Sequence, residues 1–472
     1  MARRPPAAAL VALAAGVRTG CAQIYQFEQV PFHEKTSLRT LDVFYVYSQQ
    51  DAPDKSLGQP LVRFHRLSSQ PASAGAPDAA LARYHGLQVT VMPYDLFWEV
   101  IDPKRFCSTE DDVILGQAAR AEQFLTMKPV GLVDDGADMH SFTVKLGGDA
   151  EDTAYPLRST GVYILFYSNC GDVEGATVSG TVVVRNAYGY LPGNEYHKMP
   201  FYACLSLIYT GMALLWMGLS LRRWRQLFHI QYCVAAVIAL GLLEAFLWWT
   251  CFADWNRSGV RGRYLFVMAI LSSVVKDVCS KLLLLVVALG WGVTLPHLDH
   301  RTTLKVRAVF GLYAILNFLR ECYLSFSTSH SLSLPVVLVL SMPVAGLKLG
   351  IVVWIFRALS HLMKTLRDDS DCRALPLCRL QEHSDKQSPS LVVGTLGRGW
   401  LVAAERLWKC LVAAVSVASL TLLFQMIDHT RDRSVDWRYR WVLYDGISQS
   451  LFLLVVAAMM YLWAPHMTGR WR

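Results

Sequence analysis

The second half of the chain is a series of long apolar segments separated by short charged ones. Each segment is near or above the roughly 20 residues that a helix needs to cross a bilayer. Seven segments are recognised, at approximately 200–221, 228–252, 264–295, 306–325, 333–362, 406–427 and 441–463. The pattern predicts a seven-transmembrane α-helical bundle over 199–465, with a polar cytosolic loop at 363–405 and a short cytosolic tail at 466–472.

The region between residues 23 and 198 has a different pattern, in which apolar and polar positions alternate over short stretches. Such alternation is typical of strands that are buried on one face. Strands are predicted at 41–47, 61–65, 87–92, 142–146, 161–167 and 178–185. Stretches rich in Ser, Gly and acidic residues, at 68–78 and 147–152, are expected to be loops. The spacing predicts an all-β sandwich preceding the membrane helices.

The first 22 residues have the pattern of a secretory signal peptide. Two arginines precede an apolar run at 7–17, and small residues stand at positions 20 and 22. Arg18 lies close to that cleavage position, so an uncleaved anchor remains an alternative. Either reading places the following β-domain in the lumen.

Composition and charge agree with a multi-pass membrane protein. Hydrophobic residues make up 53% of the chain and charged residues 17%, below the roughly 25% charged content of soluble domains. The net charge of +8 comes from lysines and arginines that flank the apolar segments. They are more numerous in the loops assigned to the cytosol, which supports a lumenal N-terminus. Basic residues interleaved with aromatic ones are not found, so nucleic acid is not an expected partner.

Three further sequence features concern covalent chemistry. Cys107 and Cys170 precede the first helix, and a lumenal location favours a disulfide between them over two buried free thiols. Asn256 begins a weak glycosylation sequon, in a loop so short that the membrane is expected to block modification. No zinc-protease, serine-elbow or paired-aspartate motif is present, so the sequence predicts neither an enzyme nor a metal or cofactor site.

Charged residues inside the apolar segments are the main candidates for function. A charge at mid-bilayer depth costs on the order of 2.5 to 3.5 kcal/mol, so such residues need partners or water. They are expected either to line a cavity or an ion or lipid pathway, or to form structural salt bridges. The candidates are Glu244, Lys276, Asp277, Lys281, Lys348 and Asp445. Asp277 and Lys281 can pair locally, whereas Lys276 has no such partner. Gly346 and Gly350 predict a close helix contact beside Lys348.

Short motifs spread over 185–465 are similar to those of a known family. They are Gly189–Leu191, Tyr196 and Met199–Tyr202 before the first helix, Ile230–Tyr232 and Leu240–Glu244 in the second, Lys276, Lys281 and Leu289–Gly292 in the third, and Asp436–Arg438, Asp445 and Leu462–Pro465 around the seventh. Together these motifs resemble the lung seven-transmembrane receptor family, also called GOLD-domain seven-transmembrane proteins. Within it they are most similar to the Golgi branch called transmembrane protein 87.

The resemblance implies a lumenal GOLD-like sandwich on a seven-helix bundle in the Golgi membrane, with endosomes or the plasma membrane as further locations. It implies a role in membrane traffic, including retrograde transport. A lumenal protein partner or cargo and a phospholipid in the helix cavity are the expected partners, and the oligomeric state is not predicted. A cation channel is the alternative, although Ala245, Ile270 and Asp277 depart from the charges of the family pattern. An orphan G-protein-coupled receptor is less well supported, since the third segment ends without an acidic-Arg-aromatic triplet.

Overall fold

A computed structural model of the chain gives the arrangement of both regions. It describes residues 24–31, 37–70, 87–101, 106–115, 139–144, 151–170, 177–222, 224–227, 229–291, 299–326, 334–374, 393–430 and 436–464. The predicted signal peptide at 1–22, the tail at 466–472 and the middle of the cytosolic loop lie outside these ranges.

The N-terminal region is a sandwich of two antiparallel sheets, as the alternation of apolar residues predicts. Within the described ranges, one sheet has the strand order β1-β8-β3-β6 and the other β2-β7-β4-β5. The strands are β1 Ile24–Pro31, β2 Ser37–Val46, β3 Leu61–Gln70, β4 Leu87–Pro93, β5 His140–Val144, β6 Glu151–Pro156, β7 Gly161–Asn169 and β8 Thr177–Arg185. Side chains from both sheets meet in one core that includes Phe44, Phe64, Val89, Leu165 and Val182. The Cys107–Cys170 disulfide is present and joins the end of β7 to the segment after β4.

Two strands of the sandwich are missing from the sequence prediction. β1 was not predicted, and β6 begins inside the stretch at 147–152 that was expected to be a loop. Both are edge strands, each paired on one side only, with β8 and β3 respectively. An edge strand has one solvated side and tolerates polar residues, so its alternation is weak. In β6 the packing comes from Tyr155, which stacks on Phe142 with ring centroids 5.7 Å apart.

The described part of the second half contains seven long helices, which confirms the predicted bundle. They are α1 Lys198–Leu221, α2 His229–Ser258, α3 Arg263–Ala288, α4 His300–Phe326, α5 Leu334–Ala374, α6 Val393–Thr430 and α7 Ile447–Leu462, the last preceded by a π-helical turn at Val442–Gly446. Six of them are long and apolar enough to cross a membrane. The exception is α3, whose central Lys276, Asp277 and Lys281 exceed the charge that an ordinary spanning helix carries.

Three predicted boundaries are corrected. The third helix ends at Ala288 instead of 295, because Gly290 at a φ of +79° turns the chain out of the helix. The loop at 363–405 is shorter than predicted, since α5 continues to Ala374 and α6 begins at Val393. Both extensions are stabilised by packing between the two helices, which buries Leu366 of α5 and Ala404 of α6.

Helices α5 and α6 are packed in one half and open in the other. In the half distant from the sandwich, Ile355, Leu359, Leu407 and Leu411 are buried. In the half near the sandwich, α6 is exposed almost all round between residues 415 and 427. A Cβ added to Gly346 or Gly350 of α5 would meet nothing within 4 Å. The close contact predicted for these two glycines is therefore wrong, because the space beside them is open.

Candidate functional site

Two of the predicted intramembrane charges form a closed pair at the centre of the bundle. Lys276 of α3 forms an ion pair with Glu244 of α2, and both are almost fully buried, at 5% and 1% exposure. Gln449 of α7 accepts a hydrogen bond of 2.8 Å from the Lys276 ammonium and donates one of 3.2 Å to Glu244. The ammonium also lies 4.3 Å from the centre of the Phe452 ring. A buried charge at this depth needs such a set of partners, and together they join three helices.

A second group of charges lies between α3 and α4. Asp277 and Lys281 pair along α3, as their i, i+4 spacing predicts. Tyr313 of α4 donates a hydrogen bond of 2.6 Å to Asp277 and accepts one of 3.2 Å from Lys281. The side chain of Asp277 is 34% exposed, so the helices do not enclose this group completely.

Lys348 of α5 adds a cation beside this group. It lies on the same face of α5 as Val344 and Ile351, which are each buried to 1% exposure. That face is directed into the bundle, because residues four and three apart share one side of a helix. Lys348 itself is exposed, yet it is near enough to act electrostatically on Asp277 and Lys281. An exposed lysine on an inward face marks an opening inside the bundle, which we call the cleft.

A third group closes the end of the bundle beneath the sandwich. Lys198 at the start of α1 lies 2.8 Å from Glu195 and 2.8 Å from Asp445. Asp445 belongs to the π-helical turn that precedes α7. A π-helical turn inserts one residue and rotates the following side chains, a geometry frequent at functional sites. Here Asp445 faces α1, and Gln449, one turn further along, reaches the central ion pair.

The structure separates the predicted site residues into these three groups instead of one pathway. Glu244 and Lys276 are enclosed, Asp277, Lys281 and Lys348 border the cleft, and Asp445 binds Lys198. Three partners of these charges were not predicted from the sequence. They are Lys198 at the start of α1 and the neutral residues Tyr313 and Gln449. Gln449 could have been found from its spacing of four residues after Asp445. Tyr313 carries no such signal, because its partner is on another helix.

The sandwich is fixed to the bundle through the loop that enters α7. Trp437, 5% exposed, packs between the rings of Tyr45 and Tyr47, with centroid distances of 5.4 and 5.0 Å. Arg438 lies over the Tyr47 ring and 3.7 Å from Asp51. The Tyr47 hydroxyl shares a hydrogen bond of 3.0 Å with His197. Burial raises the pKa of Tyr47 to about 12, so this hydroxyl stays protonated at neutral pH.

Asn256, the residue of the glycosylation sequon, is also part of this junction. Its side-chain amide donates a hydrogen bond of 2.9 Å to the Tyr188 carbonyl, and its side-chain oxygen accepts one of 3.1 Å from the Leu191 backbone. The Tyr190 amide donates to the Asn256 carbonyl at 2.9 Å. Glycosylation would require the amide nitrogen that makes the first of these bonds. The structure thus assigns Asn256 to the junction between sandwich and bundle.

We expect Asn256 to carry no glycan, so glycosidase treatment will not change the electrophoretic mobility of the protein made in eukaryotic cells. Changing Asn256 to Ala removes the bonds to two backbone groups and should destabilise the junction by about 1 to 3 kcal/mol. Thermal unfolding of the purified protein measures the loss, and Ser258→Ala, which removes the sequon but not these bonds, is the control. A mobility shift with the wild type, or equal stability of Asn256→Ala and the control, contradicts the assignment.

Metal ligands are not gathered anywhere in the described ranges, where no group of three or more His, Cys, Asp or Glu side chains could hold an ion.

Comparison with known proteins gives a family match over the bundle. The model described as GOST, seven transmembrane domain, matches residues 197–469. Transmembrane protein 87A of Xenopus tropicalis is 28% identical over 291 residues, which are 61% of this chain and 48% of that protein. Transmembrane protein 87B of Homo sapiens is 26% identical over 279 residues, 59% of this chain and 45% of that protein. Membrane protein PTM1 of Saccharomyces cerevisiae (strain YJM789) is 28% identical over 222 residues, 46% of this chain and 40% of that protein.

These similarities confirm the resemblance seen in the sequence motifs. The chain spans about half the length of the curated relatives it matches.

Proposed function

Because the chain belongs to the GOST seven-transmembrane family, we propose that it is a Golgi or endosomal membrane protein that acts in membrane traffic. In this proposal its sandwich is lumenal and binds a protein partner, while the cleft beside Lys348 holds a phospholipid or the apolar segment of a cargo. Retrograde transport from endosomes to the Golgi is the proposed route. The observation that carries the proposal is Lys348, exposed on the inward face of a membrane helix.

The chemistry of the cleft supports a ligand with both an apolar and a charged part. Apolar side chains are exposed in the same half of the bundle, with Leu349 of α5 at 66% exposure and Met426 of α6 at 70%. Lys348 can bind a phosphate or a carboxylate, and Asp277 opposite can bind a cationic group. A lysine at this depth is costly unless a counter-charge or water accompanies it. A lipid whose headgroup enters the cleft supplies that counter-charge.

The sandwich supports the partner-binding part of the proposal. Its short helix at Glu110–Ile114 ends in two large apolar side chains, Ile114 at 82% and Leu115 at 69% exposure. Contiguous exposed apolar residues are typical of contact surfaces. Trp437 and Arg438 fix the sandwich to the loop that enters α7. A partner bound to the sandwich would therefore be connected to the helix that contributes Gln449 to the central ion pair.

A cation channel remains the alternative, but the geometry favours it less. That mechanism needs Glu244 and Asp445 to face a path for cations. Each is instead paired with a lysine, Lys276 or Lys198, and conduction would require both pairs to open. Reconstituted protein that carries a cation current across a range of pH and voltage would reverse this preference.

The test of the proposal replaces Lys348 with methionine, which removes the charge and keeps the length of the side chain. We expect the variant, purified in mild detergent, to retain several-fold less phospholipid than the wild type. Mass spectrometry of the bound lipid measures the difference. In cells that lack the gene, an endocytosed reporter that becomes sulfated on reaching the Golgi should lose its sulfation. The wild type should restore it, and Lys348→Met should not.

Two control variants make this test specific. Lys348→Arg keeps the charge and should retain lipid, and Leu349→Met changes an exposed neighbour without changing any charge. Normal sulfation after deletion of the gene would contradict the trafficking role. Equal lipid retention by Lys348→Met and the wild type would contradict the lipid site, and the two results are independent of each other.

A further inference from the structure

The end of the bundle opposite the sandwich carries a set of exposed basic side chains from several helices. We call it the basic collar, and it comprises Arg222, Arg225, Arg301, Lys305, Arg307, Arg357, Lys364, Arg406 and Lys409. All nine are exposed, and none of them forms an ion pair with another residue in the described ranges. Carboxylates are few on the same surface, with Glu405 already paired with Arg367.

Most collar residues lie at similar depths when each helix is measured from its sandwich end, and Lys364 lies further out, about 45 Å from the start of α5. At 1.5 Å per residue, Arg357 is about 35 Å from the start of α5 and Arg222 about 36 Å from the start of α1. Lys305 is about 32 Å from the end of α4, and Lys409 is about 32 Å from the end of α6. The hydrocarbon of a bilayer is about 30 Å thick. The collar therefore coincides with the headgroup layer on the far side of the membrane.

At the opposite end of the bundle Arg257 and Arg263 are also exposed and form no ion pair within the described ranges, but three other cations are satisfied by the protein. There Lys198 contacts Glu195 and Asp445, Arg440 contacts Asp428, and Arg438 contacts Asp51. Protein carboxylates thus neutralise these three cations, whereas the collar cations have no such partner. Trp224 and Trp408 are exposed at the depth of the collar, at 63% and 36%. Tryptophan is enriched at the headgroup layer, so these rings support the placement.

Helix α5 shows how the collar is directed outward. Arg357, His361 and Lys364 are exposed and spaced i, i+4, i+7, so they form one stripe. The opposite face carries the buried Ile355, Leu359 and Leu366. The cations of this helix therefore face the membrane surface and not the bundle. On α6, Arg406 and Lys409 are exposed in the same way, beside the buried Leu407.

From this arrangement we infer that the basic collar is a binding surface for anionic phospholipid headgroups of the adjacent leaflet. The partner is a negatively charged lipid surface, which supplies the counter-charges that the protein does not. The surface is distinct from the cleft beside Lys348, which lies about 21 Å from the start of α5. The inference depends on the bundle spanning a membrane and is independent of the proposed role in traffic.

The test uses the full chain in nanodiscs of phosphatidylcholine with about one fifth phosphatidylserine. The wild type should enrich phosphatidylserine among the lipids that remain bound when the nanodisc is dissociated, by mass spectrometry. Replacing Arg357, Lys364, Arg406 and Lys409 with glutamine should reduce the enrichment at least threefold. Added salt should reduce the wild-type enrichment as well, because exposed charges are screened. Soluble inositol hexakisphosphate should compete only weakly if the membrane surface, and not a free phosphate, is the ligand.

The matched control replaces Arg257 and Arg263, exposed at the sandwich end, with glutamine. It should keep the wild-type enrichment, as should the charge-conserving Arg357→Lys and Arg406→Lys pair. A second set, Arg222→Gln with Lys305→Gln, tests the collar on other helices if the fourfold variant does not fold. Unchanged enrichment in both glutamine sets, or an equal loss in the control at the sandwich end, overturns the inference.

Discussion

Replacing Lys276 with methionine is expected to lower the free energy of unfolding by about 3 to 5 kcal/mol, the usual cost of leaving one partner of a buried ion pair alone. Glu244, at 1% exposure, would keep a single hydrogen bond from Gln449 and lose its counter-charge. Unfolding of the purified protein in mixed detergent micelles measures the change.

Two variants show whether the loss comes from the pair. The double variant Lys276→Met with Glu244→Gln removes both charges and should recover most of the stability. Lys348→Met removes an exposed lysine at similar depth and should change stability much less. A Lys276→Met protein as stable as the wild type would show that Glu244 is protonated or solvated, and that the centre of the bundle is open.

The second large effect is expected for Trp437→Ala, at about 3 to 5 kcal/mol. The ring is buried between Tyr45 and Tyr47, and its removal takes away the main apolar contact between the sandwich and the loop that enters α7. We expect the sandwich to undock, so that limited proteolysis cuts the segment between β8 and α1 more rapidly.

Tyr439→Ala is the matched control, because this neighbouring aromatic side chain is 70% exposed. Limited proteolysis should cut this variant at the wild-type rate. Equal rates for Trp437→Ala and Tyr439→Ala would mean that the sandwich is held elsewhere, with the bonds of Asn256 as the next candidate.

The parts of the fold that could be predicted from the sequence are those set by local pattern. The long apolar segments predicted seven helices, and the alternation of apolar and polar residues predicted most strands of the sandwich. Both patterns depend on neighbours along the chain. The ends of helices were less predictable. The extensions of α5 and α6 are held by burial of Leu366 and Ala404, which belong to different helices.

The candidate site was predicted in composition but not in arrangement. Asp277 and Lys281 could be paired from their spacing, since they lie on one helix. The partner of Lys276 is Glu244 on another helix, and Gln449, which bonds both, is a neutral residue far along the chain. The exposure of a charged side chain in the bundle also could not be predicted from the sequence. Lys348 and Lys276 stand in similar apolar surroundings, yet one borders an opening and the other is enclosed.

Lys348 is proposed to offer its charge to a ligand in the cleft on the inward face of α5. The most direct measurement of this is an experimental density map of the full chain in lipid nanodiscs. We expect density for a lipid in the cleft, with a phosphate or carboxylate within hydrogen-bonding distance of the Lys348 ammonium. A cleft filled by protein side chains, or Lys348 bonded to a carboxylate of the protein itself, would contradict the proposal.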